Sequence, residues 1–306
     1  MPPSDLQRTD LDSVATAPAA VGIEPTAPPA AERRTVQPAD SARRAAKAKV
    51  RRHRGLVHLL QLLIAAIFLG GWQLGSNTGW LDPFFFSKPS DIAVRSYDWI
   101  KTGYILDDLG VTLQEAFYAF VLGSLAGVVI GFLLGRVRLL AEVFDPYIKM
   151  LNALPRVVLA PIFLLWFGLG ISSKVAFGIT LVFFIVFFST FEGVRNVDRV
   201  LVDNARMLGA KKRHVLRHVL IPSAATWIFS SLHVSVGFAI VGAVVGEYLG
   251  ASQGVGYVIA QSEGTFDTTG VFAGMIILTV VVLIIDLIVN RIERRLLRWR
   301  PDQQLN

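Results

Sequence analysis

No cysteine occurs anywhere in the 306 residues. Disulfides, thiolate metal sites and a cysteine nucleophile are therefore excluded. Charge is scarce as well: Asp, Glu, Lys and Arg make up 17% of the chain, against about 25% in soluble domains. There is no Gly-x-x-x-x-Gly-Lys-Ser/Thr phosphate loop, no His-Glu-x-x-His and no Gly-x-Ser-x-Gly. The chain therefore reads as a non-enzyme that binds no ATP through a phosphate loop and holds no metal or cofactor of its own. The run Gly250–Tyr257, "GASQGVGY", has glycine spacing. It follows an apolar span rather than a strand and lies on the outer side, so a nucleotide loop is ruled out there too.

Aromatic residues are missing from the first 42 positions, which are rich in Ala and Pro. Such a segment cannot bury enough apolar area to offset the entropy of ordering. The expectation is a disordered and then basic tail over residues 1–50, followed by a membrane domain over residues 51–306. The tail does not read as a cleavable signal peptide, because the first apolar run begins only near Leu56.

What is abundant is hydrocarbon. Hydrophobic residues make up 53% and mean hydropathy is +0.53. Six runs are long and apolar enough to cross a bilayer: Leu56–Leu74, Val111–Gly135, Tyr147–Gly170, Ser172–Phe191, Ala225–Leu249 and Val271–Val289. The third is interrupted by Pro155 and Pro161, which are expected to break it. The fold class predicted is an all-α membrane protein with six transmembrane helices. The net charge of +7 needs no nucleic-acid partner, since membrane proteins concentrate Lys and Arg in cytoplasmic loops.

Those cations also orient the chain. Twenty-two Lys and Arg lie on alternate flanks: Arg43 to Arg54, Arg136 to Lys149, Arg195 to Arg217 and Arg291 to Arg300. Four lie on the opposite flanks: Lys88, Arg95, Lys101 and Lys174. The bias predicts that both termini are cytoplasmic, in a multi-pass protein of the cell (inner or plasma) membrane.

Between spans four and five runs "DNARMLGAKKRHVLRHVLIP", Asp203–Pro222. Val200, Leu201, Ala205 and Leu208 recur at helical spacing, and so do Val215, Leu216, Val219 and Leu220. The expectation is two short amphipathic helices. Gly209 supplies the left-handed turn between them, and Pro222 opens the next span. Taken alone, the segment has two readings. It rests on anionic lipid headgroups through its basic face, or it docks into a soluble partner.

The pattern Asp203-Asn204-Ala205, three residues, Gly209, nine residues, Val219-Leu220-Ile221-Pro222 resembles the "EAA" loop of permease subunits of binding-protein-dependent ABC importers. That loop reads Glu-Ala-Ala, three residues, Gly, nine residues, Ile-x-Leu-Pro. Asp203 stands for Glu, Asn204 for the first Ala, and Val219 and Ile221 are aliphatic swaps. "FFFSKPSDI", "VTLQEAFYAFVLGSLAGVVIGFLLG" and "LNALPRVVLAPIFLLWFGLG" are similar to the nitrate, taurine and aliphatic-sulfonate branch. The resemblance covers roughly residues 56–300. It implies a type I importer fold with a family core at about 106–295 and a coupling loop at 196–222. It also implies a second permease copy, two cytoplasmic ATPase subunits that bind ATP and Mg, an external solute-binding protein, and a small organic or inorganic anion as solute.

Other residues stand out without a settled role. Gly123, Gly127, Gly131 and Gly135 form a small-residue stripe, for packing within the chain or against a second copy. Glu115, His233, Glu247 and Asp286 are ionisable groups in or near apolar runs, which makes them functional candidates. Glu115 and Glu247 are expected near outer ends where water reaches them, and Asp286 is expected to pair with Arg291 or Arg294. Ser231, His233, Ser235 and Phe238 are candidates for a translocation path, and equally for hydrogen-bonded contacts between helices. Two rival functions stay open at this level: an ion-coupled transporter or channel without an ATPase, and a membrane anchor for a soluble complex.

Overall fold

The structure, a computed structural model, describes residues 40–296. Residues 1–39 of the expected tail lie outside the described residues. From Asp40 the chain is helical, so the cations from Arg43 to Arg54 ride on a helix and not on an irregular leader. Of the unit that ends at Leu62, the described part is this single helix.

Twelve α-helices follow one another among the described residues, with no strand. They are α1 (Asp40–Asn77), α2 (Pro83–Phe86), α3 (Pro89–Lys101), α4 (Leu106–Arg136), α5 (Arg138–Ala153), α6 (Leu159–Phe167), α7 (Ile171–Arg195), α8 (Arg199–Met207), α9 (Lys212–Val215), α10 (Ile221–Leu249), α11 (Val255–Gly264) and α12 (Thr268–Leu296). Five stretches are long and apolar enough to cross a membrane: Gly55–Asn77 of α1, α4, α7, the continuous run Lys212–Leu249, and α12. The pair Arg138–Ala153 and Arg156–Phe167, bent by 76°, passes the same test when taken together and makes a sixth where it counts as one broken span.

Pro155 alone makes that bend. Leu154 before it is extended, with φ −64° and ψ 132°, as the clash with a following proline ring demands. Pro161 does not break the chain. It lies in the first turn of α6, where a backbone N–H has no partner within the helix.

Pro222 lies in the first turn of α10 and so opens the next span as expected. The second short helix is not separate from that span: no break divides α9 from α10. The chain passes through a π-helical turn, Leu216–Leu220, straight into span five. Pro222 has no N–H to give to the turn before it. A locally wider turn is the accommodation, with Ile221 N–H reaching back to Leu216 O.

The bundle is built on α4, α7 and α10. Lipid tails are as apolar as leucine, so helices here are held by close van der Waals approach rather than by escape from water. The glycines supply that approach. A Cβ at Gly131 would lie 2.7 Å from Phe187 O, and one at Gly242 would lie 2.6 Å from Gly178 Cα. Around these seams Ala116, Val182, Val186, Ala239, Ile240 and Ala243 form the core. At the far end from the 196–222 segment, Ile105, Val255, Val258, Ile259 and Ile277 join α11 and α12 to the start of α4, with Trp99 of α3 against them. Pro89 at the first position and Asp91 in the first turn start α3 in the ordinary way.

Candidate functional site

The 196–222 segment is organised by its caps. Asp198 caps α8, its side chain accepting from Val200 N–H at 2.8 Å. At the other end Gly209 has φ +81°. Its N–H reaches Arg206 O at 2.9 Å, and Ala210 N–H reaches Ala205 O at 3.0 Å. This doubly bonded left-handed stop is the Schellman motif. A β-branched side chain at Gly209 would be strained there even though the space around it is open.

The two halves of the segment use their apolar faces differently. Val215 is buried, and Leu216, Val219, Leu220 and Pro222 are half-buried, so the second half leans on the bundle. In α8 and just after it, Val200, Leu201, Met207 and Leu208 stand out, Leu208 being 88% exposed. Asp203 and Asn204 are exposed, Ala205 is half-buried and Ile221 is exposed. Asp203 lies 3.4 Å from Arg206. Lys211, Lys212, Arg213 and Arg217 are exposed as well. The apolar side chains of Val200, Leu201, Met207 and Leu208 have no cover from the described residues.

The glycine stripe faces inward. Cβ atoms at Gly123, Gly127, Gly131 and Gly135 would collide in turn with Val182, with Phe183 O and Val186, with Phe187 O, and with Val194, all on α7. Its partner is thus the chain's own fourth span.

Glu115 and Glu247 are not in reach of water: they are 2% and 1% exposed. Their carboxyls neighbour each other and Lys174, a residue that the charge count places on the outer flank but that the structure also buries at 2%. Lys174 donates to the carbonyls of Leu169 and, at 3.1 Å, Gly170. Three successive N–H groups at the start of α11 are taken by this region. Gly254 N–H donates to Asp108 at 2.7 Å, Val255 N–H to Thr112 at 2.9 Å, and Gly256 N–H to Glu247 at 2.7 Å. Carboxylates at a helix N-terminus meet both its free donors and its dipole. The polar centre therefore pins α11 to α4 and α10.

The candidate path residues are not brought together. Ser231 and Ser235 are buried and spend their hydroxyls on Ile228 O and Ser231 O, at 2.8 and 2.6 Å. Phe238 is exposed. His233 turns toward α12, with Nδ1 2.8 Å from Glu293 and Nε2 3.0 Å from Asp286. Asp286 thus pairs with His233, not with Arg291 or Arg294. Arginines five and eight residues on sit on other faces of the helix, whereas Glu293, seven on, shares the face of Asp286. Sequence reasoning passed over Lys174, Asp108, Thr112 and Glu293. Only Glu293 had a legible signal, its spacing of seven from Asp286. Among the described residues no group of three or more His, Asp or Glu is arranged to hold a metal ion.

A bundle of broken and unbroken apolar spans, carrying a capped, protruding segment between the fourth and fifth, defines a polytopic transport permease. The chain belongs to the family of binding-protein-dependent transport system inner membrane components, whose profile matches residues 123–298, more than half of it. Among curated relatives, the aliphatic sulfonates transport permease protein SsuC of Bacillus subtilis is 34% identical over 239 residues, covering 78% of this chain and 87% of that protein. The formylaminopyrimidine transport permease protein ThiX of Halalkalibacterium halodurans is 30% identical, covering 72% and 88%. The riboflavin transport system permease protein RibX of Chloroflexus aurantiacus is 29% identical, covering 78% and 88%. Among solved structures, an amino acid ABC transporter has a TM-score of 0.54 at 20% identity, covering 67% of this chain and 98% of that one. An inward-facing MetNI methionine ABC transporter has a TM-score of 0.51 at 18% identity, covering 65% and 97%. The fold is that of type I importer permeases, and the chain is a multi-pass membrane transport subunit rather than an enzyme.

Proposed function

We propose that this chain is the permease of an ATP-driven importer. Its 196–222 segment docks on a cytoplasmic ATPase subunit that holds the ATP and Mg. The observation that carries the reading is the pairing of a rigid Gly209 stop with an uncovered apolar patch, Val200, Leu201, Met207 and Leu208. A lipid-resting segment needs basic charge but no fixed angle between two helices. ATP-driven closure of the ATPases would push this element and, through the unbroken helix Lys212–Leu249, tilt span five.

Two permease copies, two ATPases and an external binding protein complete the assembly in this reading, with both chain termini in the cytoplasm as the Lys and Arg distribution suggests. The solute is a small organic or inorganic anion of the sulfonate, taurine or nitrate kind; SsuC is the relative that favours this. The test is reconstitution in vesicles with the co-encoded ATPase and binding protein. ATP-driven uptake of a sulfonate is expected, and no ATP hydrolysis by the isolated chain. ATP hydrolysis by the isolated chain, with contaminants excluded, would sink the reading, as would uptake that needs no ATPase.

A further inference from the structure

His233 joins α10 to α12 where little else does. The outer half of α12 is packed with α11 through Ile277, Val258 and Ile259, and α11 is pinned to α4 and α10 through its N-terminus. The other half meets α10 through partly buried Leu278, Val282 and Ile285. An apolar groove lies on each side of that contact, of about 410 Å³ and about 340 Å³. The seams of α10 with α7 and of α7 with α4 are closed at glycine contact. So α4, α7 and α10 can move as one body, while the α10–α12 seam has room to change.

Across that loose seam sits the polar bridge, His233 to Asp286 and Glu293. A carboxylate only accepts, so the bridge is complete when both ring nitrogens carry hydrogen. His233 lies twelve residues into α10, about 18 Å from its start. Ionisable groups at such depth face protein or water, not hydrocarbon. The Asp286 side chain is nevertheless 51% exposed in the single chain, which marks this seam as a wetted or covered one. His233 is also on the helix that continues into the 196–222 segment.

We propose that His233, Asp286 and Glu293 are a latch that holds α10 on α12 in one state of the transport cycle and is released when α10 is displaced. His233 is then a positioning residue of transport. This rests on the ATP-driven importer reading. Because the chain has no cysteine, the seam can be locked cleanly without touching the bridge. Gly237 and Val282 line one groove from opposite helices, and a side chain at Gly237 meets nothing within 4 Å.

The experiment joins the pair Gly237→Cys and Val282→Cys with a short cleavable bifunctional thiol reagent in vesicles holding the whole transporter. Uptake should fall roughly tenfold, within the range of conformational coupling energies, and return when the link is cut. The single-cysteine variants treated alike should keep transporting. Uptake that survives complete linking overturns the latch alone, whereas wild-type vesicles without ATP-driven uptake overturn the importer reading and the latch with it. A second variant reads the bridge itself. His233→Leu offers neither carboxylate a donor, and should raise solute-independent ATP hydrolysis per complex several-fold at unchanged complex yield. A lower yield with unchanged hydrolysis per complex would mean a merely structural contact and overturns the proposal.

Discussion

Gly256 gives its N–H to Oε2 of Glu247 at 2.7 Å, and the same carboxyl fills the place that a Cβ on Gly254 would need. That Cβ would lie 2.2 Å from Glu247 Cδ, at a residue whose φ is +107°. Gly254→Ala therefore meets both a clash and a disfavoured backbone. It should lower stability by about 2 kcal/mol or more, read as a lower Tm of the purified permease in detergent. Glu247→Gln keeps an acceptor for Gly256 and should lose less. Equal Tm values for wild type and Gly254→Ala would contradict the tight approach described.

The α4–α7 seam makes a second prediction. Gly131→Val places methyls where Phe187 O already stands. Overpacking of this kind costs about 1–3 kcal/mol, and in a bilayer the helices have little hydrophobic drive to recover it. Yield of folded protein after detergent extraction should drop. Gly237→Ala, with open space around the new methyl, should extract like wild type, which separates a seam effect from a general aversion to replacing helical glycine.

Gly209→Val tests the docking segment. Positive φ at a β-branched residue costs roughly 1–2 kcal/mol, so α8 should lose its angle to α9. A misplaced contact of about 2 kcal/mol lowers affinity some thirtyfold. Membrane insertion should be normal, co-purification of the ATPase weakened and uptake lost. Wild-type uptake at equal expression would show that the segment has no coupling role.

Topology is tested by single cysteines in this cysteine-free chain. Ser41→Cys and Gln303→Cys should react with an impermeant maleimide only from the cytoplasmic side, and Thr102→Cys only from outside. Thr102 is exposed at the end of α3, whereas Ser87 nearby is 2% exposed and would report nothing. Opposite sides for Ser41 and Gln303 would require an odd number of spans.

Much of this fold was legible because bilayer-length apolar runs and turn chemistry are local signals. The spans of α4, α7, α10 and α12 fall inside the helices observed, and Gly209 has the positive φ that its place between two amphipathic stretches demands. Proline is less transparent. Pro161 looks like a break in a string of letters, yet a first-turn position absorbs it, whereas Pro222 opens α10 as its place before a span suggests. The polar centres were less legible still. Lys174 reads as a solvated flank cation, and nothing in its neighbours tells that Gly246 lets its stem lie against α10. Burial of Glu115 and Glu247 likewise depends on α11 folding back over Glu247 nine residues on and onto Asp108 and Thr112 of α4, more than a hundred positions away.

The glycine seam also constrains how the molecule is made. α4 emerges from the ribosome before α5 and α6, and its Gly123–Gly135 face has no tight partner until α7 has been synthesised. During that interval the face lacks the α7 residues that close it in the folded chain. The central association of this bundle is thus a late, non-local event in biogenesis. A pause or truncation between α4 and α7 should leave an inserted but unassembled helix exposed to membrane quality control.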